Sequence, residues 1–597
     1  MPTEAKVWWI MRVAGVLLLF SGMLALPPGP FAQSVADGVP AALPTFKANT
    51  TNVLVDVVVT DSHNKPVNDL TQDSFTVLEN GHPQQIVSFE AYPSPTAIIP
   101  APLPALPAGV YTNAQAVAGN NTVDVLLIDA LNTSTVNQAE SHQMLLAYLK
   151  TLPVNKPVAV FTLDTRLRQL EDFTTDHTAL LKAVEDFARL PRKSPLLKTA
   201  QDTEKQMKDE DDAYELSLAA HKPAMGKTMM LQLKKFSAEQ ESFNISLRVQ
   251  YTLSALDQLA RYLSGMPGRK NVLWLSGSFP LAVLPNPELN NPYQAARDFS
   301  EAVDHTASLL AKARVAVYPI DARGLFPQSL SAPSMSGGGF ARTPDRVNAA
   351  ESADSSLHAE ERLTLDEVAH VTGGEAIANT NDLKSALQEV DRNGTHYYTL
   401  TYVPSNKSQD NKVRTIEVRV HPGKYRLSYR RSYVAAPTPP KGDTFSILLQ
   451  HDIPASAQIL FRLSPTRIAV QPASAPIAGS NPNPLRPVTR YSIGYDVDVA
   501  PLELVASPDG VLHGSTTLVV IAYDRDGRPL NSTSNTLNLN VPSVEYPRFI
   551  KEGIHYRQQL DIPTQTAWLR AGILDHTSGN VGSLEVPFSV SVSPSSR

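Results

Sequence analysis

Four runs of near-continuous apolar residues constrain this chain more than any other feature: "VDVLLID" from Val123 to Asp129, "PVAVFTL", "NVLWLSGSFP" and "RVAVYPIDARG". A strand apolar on both faces must be covered on both faces, and in proteins that is the habit of parallel sheets flanked by helices. The intervening text agrees. Met144, Ala147, Tyr148 and Leu152 recur at helical spacing within 139–152, as do Leu180, Leu181, Val184 and Phe187 within 178–187. Val249, Leu253, Leu256, Ala260 and Leu263 form one stripe within 247–264, and further helices are predicted over 299–313 and 383–390. Thr364 and Glu367 fit a capping box opening another helix that ends at Gly373-Gly374. The expected fold class is therefore α/β: a doubly wound, mostly parallel sheet over 121–394, flanked by β-sandwich modules in a multidomain chain.

The flanks read as β structure. Within 47–93, "VLVDVVVTD" and "SFTVLENG" carry strand-like text, and Asn80-Gly81 is the dipeptide of a type I' hairpin turn. Proline, 48 of 597 residues, concentrates in linkers, and residues 94–120 and 436–444 are expected to be such linkers. Residues 395–435 return to strands, and 445–597 predict a C-terminal β-sandwich with a hairpin turn at "DRDG". The segments 47–93 and 395–435 are each too small for a stable core, so they are expected to pair into one sandwich with the α/β domain inserted between its halves. Two insertions interrupt that domain: a charge-dense helical excursion over 193–244 and a Gly/Ser/Pro-rich loop over 328–356.

Residues 1–38 are expected to comprise an export signal and a disordered stretch. Lys6 and Arg12 precede an apolar run from Val13 to Leu26, shorter than the roughly 20 residues of a spanning helix. The expected location is outside the cytoplasm: periplasmic, secreted or at the cell surface. No integral membrane segment is expected beyond this signal, or anchor if it is retained. The absence of cysteine excludes disulfides, thiolate metal sites and cysteine nucleophiles. A net charge of -6 gives no general attraction to nucleic acid.

The blocks "VVVTDSHNKPVNDLTQDSFTVLENGHPQQIVSFE", "VDVLLIDALNT", "PVAVFTLDTRLRQLEDFTTD", "GRKNVLWLSGSFP", "ARVAVYPIDARGL", "LDEVAHVTGG" and "HYYTLTYVPSN" occur in an order that resembles the von Willebrand factor type A superfamily, and more narrowly a bacterial, acidobacterial group related to it. The resemblance implies a Rossmann-like domain. In metal-competent members, an Asp-x-Ser-x-Ser cluster, a distant threonine and an Asp-Gly pair hold Mg2+ through oxygens. Here the resemblance places Asp129 on the first aspartate, Thr133 on the second serine and Ser276-Gly277 on the Asp-Gly pair. Leu131 falls on the first serine and has no donor oxygen, so the site is expected to be degenerate. Asn132, Ser134, Thr174 (or Thr175) and Ser278 are the remaining candidate loop residues. A strand-terminal carboxylate accepting backbone N–H groups is the plain alternative for Asp129.

Other motifs carry less. "HKPAMGKT" has His221 where a phosphate loop needs glycine; "HAEER" at His358 lacks the second histidine of a zinc helix; Ser278 lacks a nucleophile-elbow frame. The expectation is an exported, non-catalytic interaction or adhesion-type protein with no cofactor, whose partner is an unidentified protein or cell-surface ligand and not nucleic acid. The alternative is a metal-dependent extracytoplasmic enzyme, or a Mg2+-dependent binder using Asp129.

Overall fold

The computed structural model describes residues 52–92, 106–114, 122–189, 193–197, 223–283, 296–321, 364–378, 394–435 and 444–590, apart from a few positions within them, with scattered helical positions over 202–219 and 385–390. The signal segment and the 328–356 loop lie outside the described residues.

The chain opens with β1 (Val53–Thr60), β2 (Phe75–Glu79), β3 (His82–Gln84) and β4 (Ile86–Tyr92), followed by the two-residue β5 (Tyr111–Thr112). The α/β region contains β6 (Thr122–Asp129), α1 (Thr135–Leu149), β7 (Val158–Leu163), β8 (Leu167–Thr174), α2 (His177–Ala188) and α3 (Pro223–Leu263). It continues with β9 (Arg269–Ser276), a two-residue ladder of β10 (Ala282–Val283) with β11 (Arg297–Asp298), α4 (Ser300–Lys312), β12 (Val315–Asp321) and α5 (364–372).

The central sheet has the order β12-β9-β6-β7-β8. Its first four strands are parallel, and β8 returns antiparallel to β7 at the edge. Counted within the domain this is the 3-2-1-4-5 order of a doubly wound sheet, so the winding direction reverses between β6 and β9. Side-chain alternation sends Val125, Leu127, Val272 and Trp274 to one face, beneath α3, α4 and α5. Leu126, Ile128, Leu273 and Leu275 go to the other, beneath α1 and α2. Both faces are covered, as the unbroken apolar runs require.

The β modules follow their sequence patterns. Four later strands, β13 (Tyr397–Tyr402), β14 (Val413–Val420), β15 (Arg426–Ser428) and β16 (Ser432–Val434), pair with the N-terminal ones in two sheets, β15-β1-β13-β4 and β16-β14-β2-β3. Val55, Val57, Val77, Leu400 and Ile416 are among the residues that close the core between them. Asn80 and Gly81 both have positive φ, 48° and 80°, as a type I' turn demands. Arg314, just ahead of β12, reaches out of the α/β region to Asp56 on β1, with Nη2–Oδ1 at 2.8 Å and Nε–Oδ2 at 3.1 Å, and to Thr399 Oγ1 on β13 at 2.9 Å.

The C-terminal module comprises β17 (Phe461–Val470), β18 (Val488–Val497), β19 (Val505–Ala506), β20 (Val511–Tyr523), β21 (Pro529–Pro542), β22 (Ile554–Pro563), β23 (Trp568–Asp575) and β24 (Val581–Pro587). The sheets β22-β18-β17-β5 and β19-β20-β23-β24, with β21 beside β20, enclose Leu463, Ile493, Leu518, Val520 and Ile573. In "DRDG", Asp524 Oδ1 accepts from the backbone N–H groups of Asp526 and Arg528, which makes it a hairpin turn.

Two expectations need correction. The segment 94–120 is not linker throughout, because β5 pairs with β17 through Tyr111 and Thr112. Asn113 is buried there: its amide nitrogen donates to the carbonyls of Ser456 and Ile459, and its oxygen accepts from Phe461 N–H. A polar residue that replaces three missing backbone bonds leaves no periodic trace in sequence. The helix expected over 247–264 begins at Pro223 and absorbs the second half of the 193–244 insertion. Its early turns expose Met229, Phe236 and Phe243, so they carry no core-facing stripe. Good helix formers extend the helix outward from its packed C-terminal half.

Candidate functional site at the sheet switch point

The winding of the sheet reverses between β6 and β9, and the carboxyl ends of the strands at such a point are where ligands of doubly wound sheets bind. Asp129 ends β6 and Ser276 ends β9. With Trp274 they lie on the face beneath α3, which supplies Arg248 and Thr252 one turn apart. The loop 130–134 follows β6 directly, and Ser134 caps α1 by accepting from Asn137 N–H at 3.4 Å.

Asp129 is 1% exposed and surrounded by donors. Its Oδ1 accepts from the Asn132 backbone N–H at 2.9 Å. Its Oδ2 accepts from Asn132 Nδ2 at 2.8 Å, Trp274 Nε1 at 3.0 Å and Ser276 Oγ at 2.8 Å. Asn132 is pinned in turn: Nδ2 also donates to Thr252 Oγ1 at 2.8 Å, and Oδ1 accepts from Arg248 Nε at 3.0 Å. Thr133 Oγ1 accepts from Gly277 N–H at 2.9 Å. A Cβ at Gly277 would stand 3.0 Å from the Asn132 carbonyl oxygen, so a bare backbone lets this loop close over the strand end. Burial, the largest influence, raises the Asp129 pKa, and the bonds from Asn132, Ser276 and Trp274 only partly offset it.

The structure thus brings Asp129, Asn132, Thr133 and Ser276 together, with Ser134 alongside as a helix cap. Thr174 is not part of the group. β8 runs antiparallel, so Thr174 stands opposite Val158 at the far edge of the sheet, whereas Leu163, opposite Leu167, marks the Asp129 end. Its hydroxyl oxygen accepts from Asp176 N–H instead. Ser278 lies outside the described residues. Sequence reasoning missed Trp274, Arg248 and Thr252. The available signals were an indole two residues before Ser276 on the same strand face, and two polar residues at i, i+4 beside an apolar helical stripe.

This donor set does not fit Mg2+. A hard dication needs several free oxygens in a near-octahedral array. Here four donors occupy the Asp129 oxygens, Asn132 turns its NH2 group inward, the Thr133 oxygen holds a backbone N–H, and Leu131 is a buried hydrocarbon. The Arg248 guanidinium adds positive charge one side chain away. The arrangement is a hydrogen-bonded carboxylate that fastens loop, strand and helix to one another.

No family model matches the sequence, and no curated protein matches it. Among solved structures the chain is similar to an aerotolerance-related membrane protein from Bacteroides fragilis, at 13% identity over 45% of this chain and 99% of that one, with a TM-score of 0.23. It is also similar to the conserved hypothetical protein BatB from Bacteroides thetaiotaomicron, at 10% identity over 46% of this chain and 98% of that one, with a TM-score of 0.20. A von Willebrand factor type A structure from Catenulispora acidiphila matches at 10% identity over 60% and 76% of the two chains, with a TM-score of 0.16.

Proposed function

We propose that this is an exported, non-catalytic interaction protein whose von Willebrand factor A-like α/β domain binds a protein or surface ligand through the loops around its carboxyl edge, without a metal ion at Asp129. The observation that carries the reading is the closed network on Asp129. At the place where a doubly wound sheet ordinarily meets its ligand, every oxygen of the strand-terminal carboxylate is bonded to the protein's own donors. A site spent on internal bonds stabilises a rigid rim, and recognition falls to the surface of that rim. The strand order and the two covered sheet faces support a von Willebrand factor A-like assignment for the domain.

The test is capture from an envelope fraction by the immobilised protein, with Mg2+ or with chelator. Rim-loop variants that keep Asp129 intact are run in parallel. Equal capture under both conditions, lost in the rim variants, is expected. Capture that disappears with chelator would overturn the metal-free reading, and capture unaffected by the rim variants would overturn the placement of the binding face.

A further inference from the structure

On the opposite sheet face, and at the opposite strand ends from Asp129, three reactive side chains are buried together. Asp124 on β6 and Asn271 on β9 are Cα partners in register. Lys156 lies two residues before Val158, which is the β7 partner of Asp124. Alternation puts all three on one face. They are 1%, 0% and 6% exposed, respectively.

Lys156 Nζ lies 2.5 Å from Asp124 Oδ2, and Asn271 Nδ2 donates to Asp124 Oδ1 at 3.0 Å. One carboxylate therefore bridges a buried amine and a buried carboxamide. The Asn271 carboxamide oxygen is buried without a hydrogen-bond partner, as is the hydroxyl of Tyr148, which lies close enough to Asp124 to feel its charge. Buried polar atoms left unsatisfied in this way call for a specific explanation. A Cβ at Gly394 would approach Asn271 Nδ2 to 2.8 Å, so the bare backbone there leaves room for the carboxamide.

We propose that Lys156 and Asn271 form an intramolecular isopeptide bond, with Asp124 as the proton carrier. Asp124 takes a proton from the Lys156 ammonium across their direct contact, which leaves both groups neutral. A half-turn of the carboxamide places its oxygen on the newly protonated carboxyl. The amine lone pair attacks Cγ of Asn271, forming the C–N bond and moving the carbonyl electron pair onto Oδ1. Collapse restores the carbonyl and breaks the Cγ–Nδ2 bond. Of the three ammonium protons, one stays on the new amide, one leaves with the departing NH2 as ammonia, and one remains on Asp124. No oxidant, metal or further reactant is required. The product ties the start of β7 to β9 across β6, and this inference is independent of the ligand-binding reading above.

Intact-mass measurement of the purified full chain, followed by peptide mapping, tests it. The expected result is a mass lower than that of the chain by one ammonia, with a branched peptide joining Lys156 to Asn271. Lys156→Arg keeps the charge but cannot form this bond, and is expected at full mass. Asp124→Asn is expected to retain the ammonia in all or most molecules. A wild-type chain at full mass overturns the proposal whatever the variants do. So does loss of one water with a Lys156–Asp124 branch, or an ammonia loss that persists in Lys156→Arg.

Discussion

The indole nitrogen of Trp274 donates to Oδ2 of Asp129 at 3.0 Å, and thereby ties the middle of β9 to the end of β6 at the point where the sheet changes direction. Removing the carboxylate strands several buried donors at once. Asp129→Ala is expected to destabilise the protein by about 3–5 kcal/mol, and Trp274→Phe, which removes one donor but keeps most of the packing, by about 1–2 kcal/mol. Denaturant midpoints at fixed pH measure both. An Asp129→Ala chain as stable as the parent would show that the network contributes little.

Metal should be without effect on stability. A ligand that binds the folded state raises the melting temperature in proportion to its occupancy. Scanning calorimetry with millimolar Mg2+ and with excess chelator is expected to give superimposable transitions, and a Mg2+-dependent rise in midpoint would contradict the geometry around Asp129.

The bond between the inserted domain and its host sandwich is open to a double-mutant cycle. Burial works against the Arg314 charge, but Asp56 more than compensates, leaving the guanidinium more basic than usual. Asp56→Ala leaves that cation without its partner and is expected to cost about 3 kcal/mol. Adding Arg314→Ala should cost much less than it does alone. Additive losses would mean that the two residues are not coupled.

Asp257 predicts a pH dependence. Burial pushes its carboxyl from 3.8 to about 6, against the opposing influences of Thr306 and Arg261. The folded state holds this proton more tightly than the unfolded chain does. The group therefore costs nothing below about pH 4, costs progressively more up to about pH 6, and contributes a constant penalty of at most about 3 kcal/mol above that. Asp257→Asn should remove this dependence, so its stability relative to the parent should rise across that window. Parallel pH profiles for the two proteins would contradict the assignment.

Residues 395–435 in isolation should remain unfolded. β13 borrows β1 and β4 as neighbours, and β14 borrows β2. A peptide of this span is expected to show no cooperative thermal transition by circular dichroism, and a cooperative melt would mean that the segment needs no partner strands.

Much of the layout was legible because burial on both faces leaves a plain mark. The runs at Val123, Val158, Val272 and Val315 could be read as strands without knowing their neighbours, and alternation in Val413–Val420 announced a half-buried strand. Asn80-Gly81 fixed its hairpin through backbone sterics alone. What escaped was decided by single contacts. β5 exists because Asn113 substitutes for backbone bonds; the outer half of α3 turns Met229, Phe236 and Phe243 to the surface and not to the core; and Thr174 was displaced by the direction of an edge strand, which periodicity does not encode. At the candidate site, the chain-adjacent members Asn132, Thr133 and Ser134 could be found near Asp129. Trp274 and Arg248 meet it only after folding.

The nesting of one module inside another sets an order of assembly. A chain made from its amino end finishes the strands of its first sandwich only after the entire inserted domain has followed, and Tyr111 waits longer still, for Phe461–Val470. The first sandwich cannot be completed before about residue 430 is made, so a ribosome stalled midway would leave the first fifty described residues as orphan β-strands exposed to aggregation. Maturation of the first sandwich and of the C-terminal sheet is thus tied to synthesis of distant parts of the chain.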